Sequence, residues 1–196
     1  MASDRFEKQI RFIVEMDKLK RVLRQTILTN HSRQETSAEH SWHLGVMALV
    51  FSEYAETEVD LSRVLKMVLV HDLVEIDAGD TYCYDEAETH DQVEREEKAA
   101  ERLFGLLPED QAGEFRGLWE EFEARKTPEA RFAAALDRLQ PILQNYHTQG
   151  EMWKKNGIRS RQVVLRNQPI EEGSPMIWEY VVHLIHEAVK KGMLQE

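Results

Sequence analysis

The chain is short of several things at once. Among its 196 residues there is a single cysteine, Cys83, so no internal disulfide can form. That poverty fits a reducing compartment, and a cytoplasmic location is the expectation. No uninterrupted apolar stretch approaches the roughly 20 residues that a membrane helix needs, so no membrane partner is expected. The segment "MASDRFEKQIRF" lacks the apolar core of a secretion signal, and none is expected there. Cations are scarce as well: 25 Lys and Arg stand against 36 Asp and Glu, a net charge of −11. Affinity for a nucleic-acid polymer is built from Lys and Arg on phosphates, so such a partner is not expected either. Small anions stay open wherever a local cation can receive them. Strand alternation, internal repeats and low-complexity linkers are also missing.

What remains is helical punctuation. "FEKQIRFIVEMDKLKRVLRQT" carries Ile10, Ile13, Val14, Met16, Leu19, Val22 and Leu23 near a helical period, and a helix is predicted over it. Thr36 and Glu39 have capping-box spacing ahead of "EHSWHLGVMALVFSEYAE". Asp60 suits an N-cap for "LSRVLKMVLVHDLVEI", with Gly79 just past its end. Pro108 opens another helix, and the pairs Thr127–Pro128 and Ser174–Pro175 open two more. Stretches 81–90 and 155–174 read as loops. The expectation is an all-α chain forming one domain over 1–196.

Chemistry concentrates in "LVHDLVEIDAGD", residues 69–80. His71 and Asp72 emerge from an apolar helix, and Glu75, Asp77 and Asp80 follow where the helix dipole is negative. Glu75 lies four residues past His71 and three past Asp72, so all three can share one side. A second His-Asp pair, His90–Asp91, sits in the charge run "DEAETHDQVEREE" and reads as solvated surface. A divalent cation would offset both the dipole and the crowded carboxylates, but it needs ligands from elsewhere. His40 is one candidate, although a lone histidine there also reads as packed core. Asp137 is the other, inside "RFAAALDRLQPIL" with Ala130, Ala133 and Ala134 on its own face. Small neighbours allow a close approach of another element, while a salt bridge to a nearby arginine is the plainer reading. Pro141 cannot donate to the Asp137 carbonyl, and a kink is expected there.

The order His40 … His71-Asp72 … Asp137, with Glu75 and Asp80 after the dipeptide, resembles the HD-domain metal-dependent phosphohydrolases. The segments "SRQETSAEHS", "LVHDLVEIDAGD", "LLPEDQAGEFRGLWEEFEA" and "LDRLQPIL" carry the resemblance, which is strongest to the bacterial 5′-deoxynucleotidase and its eukaryotic HD-domain relatives. It covers about residues 10–150, leaving 151–196 as a C-terminal helical extension. The resemblance implies an HD-type helical bundle in which His40, His71, Asp72 and Asp137 ligate one divalent metal. Mn, Co, Ni, Fe and Zn all suit two nitrogens and two oxygens. It implies that Glu75 handles the proton of the water or of the leaving 5′-oxygen, and that Asp80 orients the sugar. Arg24 and Arg33 are candidate phosphate partners, since a guanidinium fork matches phosphate oxygens. A homodimer is the family's habit, and Trp178, Tyr180 and Val181 could serve such a surface.

One departure stands out. The bacterial enzyme carries an Arg-Trp pair ahead of its first ligand, whereas Gln25 follows Arg24 here and the nearest tryptophan is Trp42. The pocket wall that reads the sugar can therefore differ. The leading expectation is a 5′-nucleotidase acting on (deoxy)nucleoside monophosphates. The alternatives are a nucleotide pyrophospho- or triphosphohydrolase on the same scaffold, and a non-catalytic nucleotide or metal sensor. Glu75 and Asp80 weigh toward an enzyme, because a structural ion needs only the four ligands.

Overall fold

Side-chain caps set the helix starts in the computed structural model, which describes residues 3–84 and 90–196. Ser3 Oγ accepts from Phe6 N and opens α1, Asp4–Met16. Thr36 and Glu39 form a reciprocal capping box at the start of α2, Ser37–Phe51. Asp60 caps α3, Leu61–Val70, through the amides of Ser62 and Arg63. A 3₁₀ turn, His71–Val74, leads into the short α4, Glu75–Ala78, which Gly79 ends at φ +77°. Then follow α5, Gln92–Phe104, and α6, Glu109–Ala124. Thr127 caps α7, Pro128–His147, which runs on through Pro141. Short helices α8, Glu151–Lys155, α9, Ser160–Asn167, and α10, Ile170–Gly173, lead to α11, Pro175–Lys190, capped by Ser174.

The architecture is helical, as the sequence predicts, with two local corrections. The helix predicted over residues 6–26 stops at Met16, passes through a 3₁₀ turn at Asp17–Arg21 and becomes strand β1, Leu23–Ile27. This strand pairs antiparallel with β2, Gln34–Thr36, around a tight turn in which His31 takes φ +61°. The β-branched Thr26 and Ile27 and the turn residues "TNHS" favour the hairpin over the helical period that precedes it. The stretch 155–174, read as a loop, contains α9 and α10. Of the stretch 81–90, residues 81–84 have no regular helix or strand, and residues 85–89 lie outside the described residues.

Helices α2, α3 and α7 pack against one another, with α5 and α6 on one flank and α10 and α11 on the other. One apolar cluster runs from Phe12 to Leu194 and includes Leu44, Met67, Leu103, Phe132, Leu136, Ile170 and Ile185. Each such side chain contributes about 1.5–3 kcal/mol by leaving water. Val181 is in that core, so of the three C-terminal interface candidates only Trp178 and Tyr180 reach solvent. The alanine face of α7 is used for close packing. A Cβ on Gly173 of α10 would lie 2.3 Å from the Arg131 carbonyl and 3.0 Å from Ala135 Cβ.

Candidate metal centre and its cavity

The backbone change at the end of α3 builds the site. His71 donates its amide to Met67 O as the α-helix closes, and the chain then tightens to three residues per turn. The tightening turns His71, Asp72 and Glu75 inward together, and all three are buried. The acids crowded near the helix end then part company. Asp77 faces out to Arg102. Asp80, beyond the glycine turn, lies 3.7 Å from Arg24. Only Asp72 and Glu75 are buried among them, and each has a partner.

Three further elements meet this turn. From α2 comes His40, fully buried; from α7 comes Asp137; from β1 comes Arg24. His40 Nε2 is 3.0 Å from Asp137 Oδ1 and 3.9 Å from Asp72 Oδ2. His71 Nε2 is 3.0 Å from Asp72 Oδ1 and 3.8 Å from Asp137 Oδ1. Neighbouring ligands of one ion with bonds of about 2.0–2.2 Å stand about 3 Å apart, so these spacings are those of a shared ion.

The histidine tautomers agree. His71 Nδ1 donates to Val68 O at 3.0 Å, which leaves Nε2 as the lone-pair nitrogen. That atom is buried and has no hydrogen bond of acceptable geometry despite the nearness of Asp72. His40 Nδ1 faces Gln140 Oε1 at 3.2 Å, and the Gln140 amide donates in turn to Glu35 at 2.6 Å. With an ion bound, the chain Glu35–Gln140–His40 would hold the proton on Nδ1 and leave Nε2 to the ion; without one, Nε2 sits at hydrogen-bond distance from Asp137. An orphaned buried nitrogen beside a second imidazole and two carboxylates is a donor set that fits a divalent cation. Among the described residues, His40, His71 and Asp72 form the one group of this kind whose ligand atoms all lie within 4.8 Å of one another.

The electrostatics follow from burial and charge. Burial pushes the Asp72 carboxyl up, but His71 and Arg24 outweigh it and hold the group at about 2. Asp137 is likewise pushed up by burial and pulled far below its ordinary value by the hydrogen bond and charge of His40. Glu75 goes the other way. Burial raises its pKa well above the ordinary value, and the charge of Asp72 adds to this. Its Oε2 accepts from Ser37 Oγ at 2.6 Å. Asp80 is raised by burial too. Two carboxylates held ionised beside two acids held toward neutrality is a division of labour between binding and proton transfer.

Arg24 is largely buried, its Nη1 donating to Asp72 Oδ2 at 2.9 Å, while its Nε makes no hydrogen bond and lies 4.0 Å from Glu35 Oε2. These groups line a cavity of about 350 Å³, which Arg24, Asp72, Glu75, Asp80 and Asp137 share with Trp119 and Trp153. Arg33 is not brought in. It is half exposed and paired with Glu39, which places it on the surface outside the cavity. The sequence reading also missed Glu35 and Gln140; Glu35 stands four residues before the Glu39 of the capping box, and only the structure shows it buried. His43 stands at the edge of this network, 3.4 Å from the Gln140 amide.

This fold and this cluster define an HD-domain protein. A sequence model of the HD domain matches residues 16–178, and the chain belongs to that family. Among curated proteins it is similar to the 5′-deoxynucleotidase HDDC2 of Homo sapiens, with 34% identity over 136 residues. That alignment covers 69% of this chain but only 65% of the relative, so the chain spans just under two thirds of it. Among solved structures it is similar to a predicted metal-dependent phosphohydrolase from Magnetospirillum magnetotacticum MS-1. There the TM-score is 0.94 at 53% identity, covering 98% of this chain and 96% of that one. An HD-domain phosphohydrolase from Listeria innocua shares the fold at 16% identity and TM-score 0.58, covering 93% of this chain and 99% of that one.

Proposed function

We propose that the chain is a metal-dependent phosphohydrolase that removes phosphate from (deoxy)nucleoside 5′-monophosphates. The observation that carries this reading is the His71 Nε2 atom, buried beside Asp72 without a hydrogen bond of acceptable geometry, in a cavity that Glu75 also lines. His40, His71, Asp72 and Asp137 would hold one divalent cation, with Mn, Co, Ni, Fe and Zn all compatible. When bound, such an ion polarises a phosphoryl oxygen and makes water a better nucleophile at neutral pH.

The chain's own residues supply the rest. Arg24 presents its guanidinium to the phosphate, with Asp72 holding Nη1. Glu75, its pKa raised by burial and its carboxyl aligned by Ser37, delivers a proton to the departing 5′-oxygen. Asp80, across from Arg24, orients the sugar hydroxyls. Gln25 also lines the cavity, in the place next to Arg24, and gives the sugar-reading wall an amide.

The HDDC2 relatives and the structural neighbour support this reading by their printed names. A second class, a nucleotide or metal sensor, would need no raised Glu75 beside the ligands. The reading treats residues 1–196 as one domain, with about 10–150 as its core and 151–196 as an extension, acting in the cytoplasm as a homodimer. Exposed Trp42, Val46, Leu49 and Val50 on α2 form the apolar stripe that supports the dimer. Among the described residues, no helix is long and apolar enough to cross a membrane.

Phosphate release from a panel of mono-, di- and triphosphates, with Mn or Co added, tests the proposal. Release from a deoxynucleoside monophosphate is the expected result. Silence across the panel with metal demonstrably bound favours the sensor.

A further inference from the structure

The cavity has a second pole that the chemistry above does not use. Arg138 follows Asp137 on α7, lines the same cavity and is 6% exposed. Among the described residues its only hydrogen bonds are long ones to main-chain carbonyls, Nε to Arg166 O at 3.3 Å and Nη1 to Ala134 O at 3.4 Å. No carboxylate among the described residues comes within ion-pair distance of it, and Nη2 has no protein acceptor there. Arg166, on α9, lines the cavity beside it, next to Cys83, and adds a second positive charge rather than a countercharge. Arg125, at the end of α6, lines the same wall.

Burying a guanidinium without an anion is costly, and setting a second one beside it adds to the cost. A purely structural strut accounts for the Nε bond that ties α7 to α9. It leaves unexplained the unused Nη2 and the placing of Arg166 beside it, on a cavity whose other acids, Glu96 and Glu123, make no ion pair with either arginine among the described residues. Asp137, the residue before it, belongs to the candidate metal cluster and faces His40.

Resting on the nucleotide-hydrolase reading, we propose that Arg138 and Arg166 form a subsite for a second phosphate group on the substrate. The cavity, at about 350 Å³, is of the size that takes a mononucleotide-scale ligand. A phosphate carries up to two negative charges and matches the guanidinium fork, so it meets two arginines better than a carboxylate does. The preferred compounds are therefore nucleotides phosphorylated twice, either along one chain, as in a 5′-diphosphate, or at both ends of the sugar, as in a 3′,5′-bisphosphate.

The test is equilibrium titration of the Mn-loaded protein with deoxyadenosine 5′-monophosphate, 5′-diphosphate and 3′,5′-bisphosphate, alongside kcat and KM for each. Binding of one doubly phosphorylated compound at least about ten-fold tighter than the monophosphate is expected, and which one it is identifies the position of the second phosphate. Arg166→Gln should remove that advantage while leaving the monophosphate constants within about two-fold. Arg138→Lys, checked for folding by its melting temperature, should do the same by keeping the charge and losing the fork. Equal binding of all three compounds, or an equal loss across them in Arg166→Gln, overturns the subsite. Selective binding without turnover would keep the subsite and sink the hydrolase reading; turnover of monophosphates without selectivity would do the reverse.

Discussion

The chain contains the dipeptide His-Asp twice, and the two copies have opposite fates. His71–Asp72 leaves an apolar helix, tightens into a 3₁₀ turn and is buried beside His40 of α2 and Asp137 of α7. His90–Asp91 precedes a polar helix and stays exposed, where Asp91 pairs with Arg95 one turn on. The residue types are identical, so the difference lies in what surrounds them. Burial makes a carboxylate costly until a cation or hydrogen bond compensates it, and water removes that pressure at the surface.

The comparison can be broken at several depths. The largest effect is expected from Asp72→Ala, which should abolish stoichiometric metal binding measured by atomic absorption. Asp91→Ala, its surface counterpart, should bind metal normally and shift stability by no more than about 0.5 kcal/mol. Should the two variants behave alike, burial does not separate the pairs.

Glu75→Gln comes next. It should retain the metal and lower kcat by about 10²–10⁴-fold. It should also change the pH response of the metal-stripped protein. With its folded pKa raised, Glu75 stabilises the fold fully only below the unfolded value of about 4.5, and that contribution drains away as pH rises toward the folded value. The glutamine stays neutral, so its melting temperature should fall less than the parent's between about pH 5 and 7. A parent curve that is flat over this range would remove the case for a raised Glu75.

The smallest effect belongs to the support behind the ligands. Gln140→Ala frees the His40 Nδ1 proton from its acceptor and should weaken metal affinity by about 10–100-fold without abolishing it. Competition against a chelating dye measures that loss.

Much of this arrangement was legible in sequence because it rests on local chemistry. The caps at Thr36, Asp60, Thr127 and Ser174 set helix starts through hydrogen bonds within three residues. The coming together of His40, His71, Asp72 and Asp137 was legible only through the resemblance to a family, since spacing alone left His40 and Asp137 with plainer readings. The hairpin was not legible. An apolar period runs unbroken to Leu23, and only tertiary pairing with β2 turns the chain there and carries Arg24 into the cavity. Arg33 looked equivalent on paper but sits near the other end of the hairpin, where Glu39 engages it. Arg138 and Arg166 were hidden for another reason: Arg166 lies in a stretch that reads as loop, and its position beside Arg138 depends on the packing of α9.

The close seat of Gly173 on α7 has a reach well beyond the glycine. Residues 131 and 135, against which it presses, lie six and two residues before Asp137 on the same rod. The tail of the protein thus acts as a thumb on the shaft that carries an acid of the candidate ion site. Adding a single methyl group there, far from any substrate, should tilt that shaft and be felt first as a looser grip on the ion.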